Sequence, residues 1–236
     1  MFFLFYLFCG ASIISLCMFW WWLNRHFQLR RRLEPIFNAP NSFNKTGCEI
    51  ARDVLDENNL SELPIRKGSI SNDNVFKSQE GRYGTIYLNP EHYENPTLQA
   101  LAVSVHECGH AINFNKGRSY LSLSKYLWGG FFILSMLAIV PLVFLSKPAI
   151  WWLFLLGAFP GAMLIAARLL EEKGATSTGI KMLEKNHLMT EEEKGFVKQY
   201  LCSNLLHYMS GFSLYTLVWN ILMALLVYQA IGIRLN

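Results

Sequence analysis

Charge is scarce in this chain. Lysine, arginine, aspartate and glutamate make up 16% of its 236 residues, against 52% hydrophobic and 14% aromatic. The scarcity comes in blocks, which excludes an ordinary soluble globular composition. Phe2 to Leu23, Tyr126 to Leu145, Ala149 to Ala167 and Phe212 to Ile233 carry no charged side chain at all. Cysteine is sparse too: Cys9, Cys17, Cys48, Cys108 and Cys202 are an odd number without a Cys-x-x-Cys pair. Neither a disulfide framework nor a thiolate zinc site is indicated, and a reducing environment suits these thiols. There is no internal repeat, low-complexity tract or glycine-rich phosphate loop. The first apolar block also lacks a basic leading segment and a small-residue cleavage site, so it reads as a retained anchor rather than a removed signal peptide.

What is present in place of charge is span-length apolar sequence. The four blocks run 22, 20, 19 and 22 residues, and at about 1.5 Å per helical residue each can cross a hydrocarbon core of about 30 Å. The expected fold class is a mainly α, polytopic membrane protein, with about four transmembrane helices and a small cytoplasmic α+β zincin-like part. The expected boundaries are an anchor over 1–23, a cytoplasmic zincin-like part over 24–125, a transmembrane hairpin over 126–170, cytoplasmic helices over 171–211 and a last span over 212–236. Thirteen of the Lys and Arg residues fall between 24 and 125 and six between 168 and 211, leaving Lys147 and Arg234 for the other side. The positive-inside rule then puts both large segments in the cytoplasm of a multi-pass protein of the cell (inner) membrane. The net charge of +4 is an orientation signal. The Arg30-Arg31-Arg32 run suits anionic headgroups rather than nucleic acid, or else simply ends a solvated helix. The expected partners are the lipid bilayer and a peptide or protein substrate, with no nucleic acid.

The chemistry-bearing signal is His106-Glu107-Cys108-Gly109-His110, an H-E-x-x-H sequence. Asn95-Pro96-Thr97 reads as a helix start, and Leu98, Leu101, Ala102, Val105 and Ile112 follow at helical spacing. Residues four apart share a helix face, so both imidazoles can reach one Zn²⁺ while Glu107 faces the water that completes its coordination. Cys108, two residues from each histidine, points away and is expected to pack. A catalytic zinc needs a third protein ligand. The sequence offers Glu171 and Glu172, sixty-two residues past His110 in the second case. Glu172 is preferred over Glu171, with Thr176 or Ser177 as residues that could orient a ligand. Gly174, Ala175, Thr176 and Ser177 are small enough to let the glutamate helix approach the histidine helix. His207 and Tyr208 are candidates for stabilising an oxyanion.

Thr46-Gly47-Cys48-Glu49 is a capping box ahead of an amphipathic helix, and Asn58-Asn59 should end it. Ile65, Val75-Phe76 and Thr85 to Leu88 read as short strands, with Ile86 to Leu88 a candidate open edge for an extended peptide. Thr190-Glu191-Glu192-Glu193 is a second capping box, whose acids complement the helix dipole.

The string from Thr46 to Arg52, followed by Ala102 to Ala111, resembles the neutral zinc metallopeptidases of bacterial membranes, the YugP-like family, over about residues 43–210. In its wider look that family is similar to the HtpX-like gluzincin membrane proteases, whose third ligand opens a Glu-x-x-Ala-Asp element. Glu172-Lys173-Gly174-Ala175-Thr176 matches that element except that Thr176 stands in place of Asp, a carboxylate that could brace a ligating histidine. Cys108 likewise stands where an aliphatic residue is usual. The resemblance implies a gluzincin-type zinc metallopeptidase. The residues themselves point to a metalloendopeptidase with Zn²⁺ on His106, His110 and Glu172 and with Glu107 as base. The rival reading is a catalytically silent, zinc-stabilised membrane adaptor that uses the same ligands. A transporter is disfavoured, because the spans hold no acid or base apart from Arg168 near one end.

Overall fold

A computed structural model of the chain describes residues 2–69, 74–120, 148–185 and 189–235. Its elements are α1 (Phe2–Leu33), a 3-10 turn (Glu34–Ile36), α2 (Gly47–Asp56), β1 (Ile65–Lys67), β2 (Val75–Lys77), β3 (Thr85–Leu88), α3 (Pro90–Glu94), α4 (Leu98–Asn115), α5 (Pro148–Lys185) and α6 (Glu191–Leu235). They form two compact units. The first comprises Met1–Arg25, Leu121–Leu169 and Leu206–Asn236; the second comprises His26–Tyr120 and Leu170–Leu205.

The second unit is built around α4. Thr46 starts α2 as the capping box predicts: its hydroxyl accepts from the Glu49 amide, and the Glu49 carboxylate accepts from the Thr46 amide at 2.8 Å. Ile50, Ala51, Val54 and Leu55 form the buried face of α2, which packs on α4. Both asparagines follow its last turn, Asn59 at a φ of 59°, where asparagine is better tolerated than most residues. The strands fall where β-branched and aromatic residues predict them. Their order is β1-β3-β2, with Ile86 opposite Ile65 in a parallel pair and opposite Phe76 in an antiparallel one. Ile86 to Leu88 is therefore the central strand. Both of its edges are already hydrogen-bonded, so it cannot serve as the open edge expected for a peptide.

Two of the expected polar signals turn inward in this unit. Arg30 lies over the rings of Tyr200 (4.6 Å) and Phe37 (5.4 Å) and donates to Asn204 at 3.1 Å, so Arg31 and Arg32 are the members of that run left exposed. Glu193 closes its capping box by accepting from the Thr190 amide at 2.7 Å, and also accepts from the Ser42 amide at 2.7 Å. It is buried, so it anchors the loop before α2 besides complementing a dipole.

In the first unit, α1 and α6 pair through a cluster of Phe8, Met223, Ala224 and Val227. Ser15 sits buried between the helices and accepts from Thr216 (3.2 Å) and Asn220 (3.4 Å), the kind of interhelical polar bond that joins helices in lipid.

The expectation of about four transmembrane helices is corrected. Among the described residues, two helical stretches are long and apolar enough to cross a membrane, Phe5–Ile36 and Glu191–Leu225. The charge-free run from Tyr126 to Leu145 lies outside the described residues. The run from Ala149 to Ala167 is not an element of its own but the first half of α5, which continues through Glu171 and Glu172 to Lys185. The last run is likewise the second part of the 45-residue α6. Freedom from charge marks composition, while a helix ends only where its hydrogen-bond ladder does. The expected cut at 170 falls inside α5 but coincides with the division between the two units, and the cut at 211 falls inside α6.

Candidate metal centre

Thr97 caps α4, its hydroxyl accepting from the Ala100 amide at 3.1 Å, and every residue from Ala100 to Asn113 is buried. The motif histidines thus lie in the core of the second unit, where an imidazole without partners is costly. The partners come from α5. Its approach is set by two glycines, because a Cβ on Gly109 would overlap the Ala175 carbonyl and a Cβ on Gly179 would overlap that of Val105. Gly109 precedes His110 and Val105 precedes His106, so close contact is enforced on both turns that carry imidazoles. The contacts run in opposite chain directions along the two helices, which places Glu172 against the His106–His110 face.

There the Nε2 atoms of His106 and His110 lie 3.2 Å apart, and Glu172 Oε2 lies 3.1 Å from the first and 3.7 Å from the second. One donor atom from each of the three residues falls within 4.8 Å of the others. That separation suits an N–H of one ring donating to the other in the metal-free protein, or two lone pairs turned to one shared cation. A tetrahedron with metal–ligand bonds of about 2.0–2.1 Å has edges of about 3.3 Å, so the donor types and their separations fit Zn²⁺.

The far side of each ring is also held. His106 Nδ1 meets the Thr176 hydroxyl at 3.2 Å, so threonine occupies the bracing position where the wider resemblance has aspartate. His110 Nδ1 meets Glu171 Oε1 at 2.8 Å. Consecutive helical residues project about 100° apart. Glu171 and Glu172 accordingly straddle His110, one at each ring nitrogen. Burial opposes charge on His110, but hydrogen bonds to Glu171 and Glu172 and the nearby charge of Glu107 outweigh it and hold the imidazolium up at about 9. Burial would raise Glu172, yet its bonds to His106 and His110 bring it well below the usual carboxylate range. Glu171 is lowered in the same way, against its burial, by His110, the Tyr120 amide and Ser119.

Glu107 is buried beside the histidines. Cys108 points to α2, where its thiol donates to the Ala51 carbonyl at 3.6 Å. Burial pushes that thiol far above its ordinary value, which leaves an inert packing group. His207 and Tyr208 belong to the first unit, where the Tyr208 hydroxyl accepts from Arg168 at 3.4 Å. The donor group itself consists of His106, His110 and Glu172. Sequence reasoning missed the double contact of Glu171, the role of Ser119, and the bond from Thr178 to Asn113 at 2.9 Å. The run of small residues from Gly174 signalled the close approach, but nothing along the chain marked Gly109 as its counterpart.

A family model described as "Putative neutral zinc metallopeptidase" matches residues 10–228. The chain is also similar to "Putative membrane protease YugP" of Bacillus subtilis (strain 168), with 23% identity over 214 residues, covering 87% of this chain and 90% of that protein. No solved structure matches the chain.

Proposed function

This chain belongs to the neutral zinc metallopeptidase family, and from that premise we propose that it is a membrane-embedded metalloendopeptidase working at the cytoplasmic membrane surface. The observation that carries the reading is the convergence of His106, His110 and Glu172 within 4.8 Å beside the buried carboxylate of Glu107. In this reading His106 and His110 present Nε2, and Glu172 presents Oε2, to Zn²⁺. Bound there, the metal supplies a Lewis acid that activates water and polarises the scissile carbonyl. Glu107 is the general base: its carboxylate takes the proton of the attacking water and returns it to the leaving amine. Thr176 and Glu171 keep the two rings turned toward the metal. Three protein donors, with no fourth in the group among the described residues, leave a position open for substrate, whereas a structural zinc is normally closed by four. That favours catalysis over a zinc-stabilised adaptor.

Two span-length helices and a relative named as a membrane protease support placement in a bilayer. The concentration of Lys and Arg in residues 24–125 supports a site on the cytoplasmic side. The test is Glu107→Gln in full-length, detergent-purified protein, with an unfolded protein such as reduced casein as substrate. Zinc content is expected to stay at the wild-type level while hydrolysis falls by about 10²- to 10⁴-fold. Undiminished hydrolysis would rule out Glu107 as base, and zinc binding without any cleavage by the wild type would favour the adaptor.

A further inference from the structure

Glu171 stands next to the proposed ligand and is even more deeply buried, at 3% exposure. It makes more contacts than a bystander needs. One oxygen, Oε1, faces His110 Nδ1 at 2.8 Å. The other, Oε2, accepts from the Tyr120 backbone amide at 2.6 Å and from the Ser119 hydroxyl at 3.0 Å. Gly117, Arg118, Ser119 and Tyr120 form the stretch by which the chain leaves the zinc helix. We infer that Glu171 is a positioning residue that fixes the His110 ring and, through the same carboxylate, ties the exit of the zinc helix to the metal centre. The inference rests on the metallopeptidase reading above.

Donor and acceptor counting makes the case specific. An ionised carboxylate accepts at both oxygens. Three donors converge on it: His110 Nδ1–H, the Tyr120 N–H and the Ser119 O–H. With Nδ1 as the donor, the proton that the neutral His110 ring retains is fixed on the side away from Glu172, which leaves the Nε2 lone pair for a metal. A glutamine of the same shape cannot satisfy this arrangement. With its carbonyl toward Tyr120, its NH₂ faces Nδ1 and demands the tautomer that protonates Nε2, which cannot ligate. With its carbonyl toward His110, its NH₂ opposes the Tyr120 N–H, donor against donor. One orientation therefore costs the Nε2 lone pair and the other costs the Tyr120 bond.

The experiment therefore reads both ends. In metal-free, full-length Glu171→Gln, zinc affinity is measured by competition with a chromophoric chelator, and hydrogen exchange is followed at the Tyr120 amide, with the Ile86 amide of the central strand as internal control. The expected result is either zinc affinity weakened about 10- to 100-fold or a Tyr120 amide that exchanges at least tenfold faster, with Ile86 unchanged. The visible spectrum of the Co²⁺-substituted protein should shift wherever affinity falls. A folded variant that keeps wild-type affinity, spectrum and Tyr120 protection overturns the proposal. Where Glu171→Gln loses zinc affinity, Glu171→Asp, with two ionised acceptors on a shorter stem, should bind zinc more tightly than it; where the glutamine variant does not fold, the comparator is Glu171→Ala. In either case Asp no better than its comparator also overturns the proposal. Loss of zinc from Glu171→Gln with full retention in Glu172→Gln would reverse the two roles and leave the metallopeptidase reading standing. A wild-type protein that takes up no zinc would sink that reading itself.

Discussion

At the scale of single residues, protons and metal compete for one group of atoms. His110 is held at about 9 in the metal-free protein, above its ordinary 6.5. It therefore contributes stability that is complete below about 6.5 and is lost as pH rises through about 9. Glu172 is shifted the opposite way, below its ordinary 4.5, and its contribution is present above that value and lost as pH falls. The metal-free protein should accordingly be most stable between these limits and weaken toward pH 9. Zinc must displace the His110 proton, so its affinity should rise with pH up to about 9 and its binding should release protons. Thermal unfolding of metal-free and zinc-loaded protein from pH 5 to pH 10, with zinc titrations across the same range, checks both. Zinc affinity independent of pH below 9 would contradict the shift in His110.

At the scale of elements, the centre depends on how closely α5 can lie against α4. Gly109 and Gly179 both face the backbone of the other helix, one turn apart, so neither helix can retreat locally without moving the glutamates. Gly109→Ala should force the helices apart and destabilise the protein by about 1–3 kcal/mol, with zinc affinity falling more than stability alone accounts for, because Glu172 moves with α5. Urea unfolding with and without zinc separates the two effects. By contrast, Cys108→Val, on the far side of α4 against α2, should leave zinc affinity unchanged. It loses only a weak thiol bond to Ala51.

At the scale of the whole molecule, apolar sequence and polar chemistry share single continuous elements: α5 carries both a charge-free run and the two glutamates, and α6 joins a capped polar start to a span-length stretch. In the proposed orientation, which puts both basic segments in the cytoplasm, an exposed position of the second unit such as Glu62 faces inward. A Glu62→Cys variant should resist a membrane-impermeant maleimide in intact cells and react in inverted vesicles. Labelling in intact cells would reverse the orientation. The α1–α6 pair is tied by Ser15, Thr216 and Asn220, and Asn220→Leu should weaken it by about 0.6–2 kcal/mol, read as a lower unfolding temperature in detergent.

The sequence by itself determined the local chemistry. A period of 3.6 puts two histidines four apart on one face, capping boxes start α2 and α6, and β-branched clusters mark three short strands. Each of these is a property of neighbours along the chain. Tertiary structure alone decided which glutamate meets which ring nitrogen, that β3 is central rather than an edge, and that charge-free runs are parts of longer helices. Those outcomes depend on what packs against each element from far away in sequence. The separation of Glu171 from Glu172 depends on the rotation of α5 about its axis, and two glycines on opposite helices set that rotation, a property no single segment encodes.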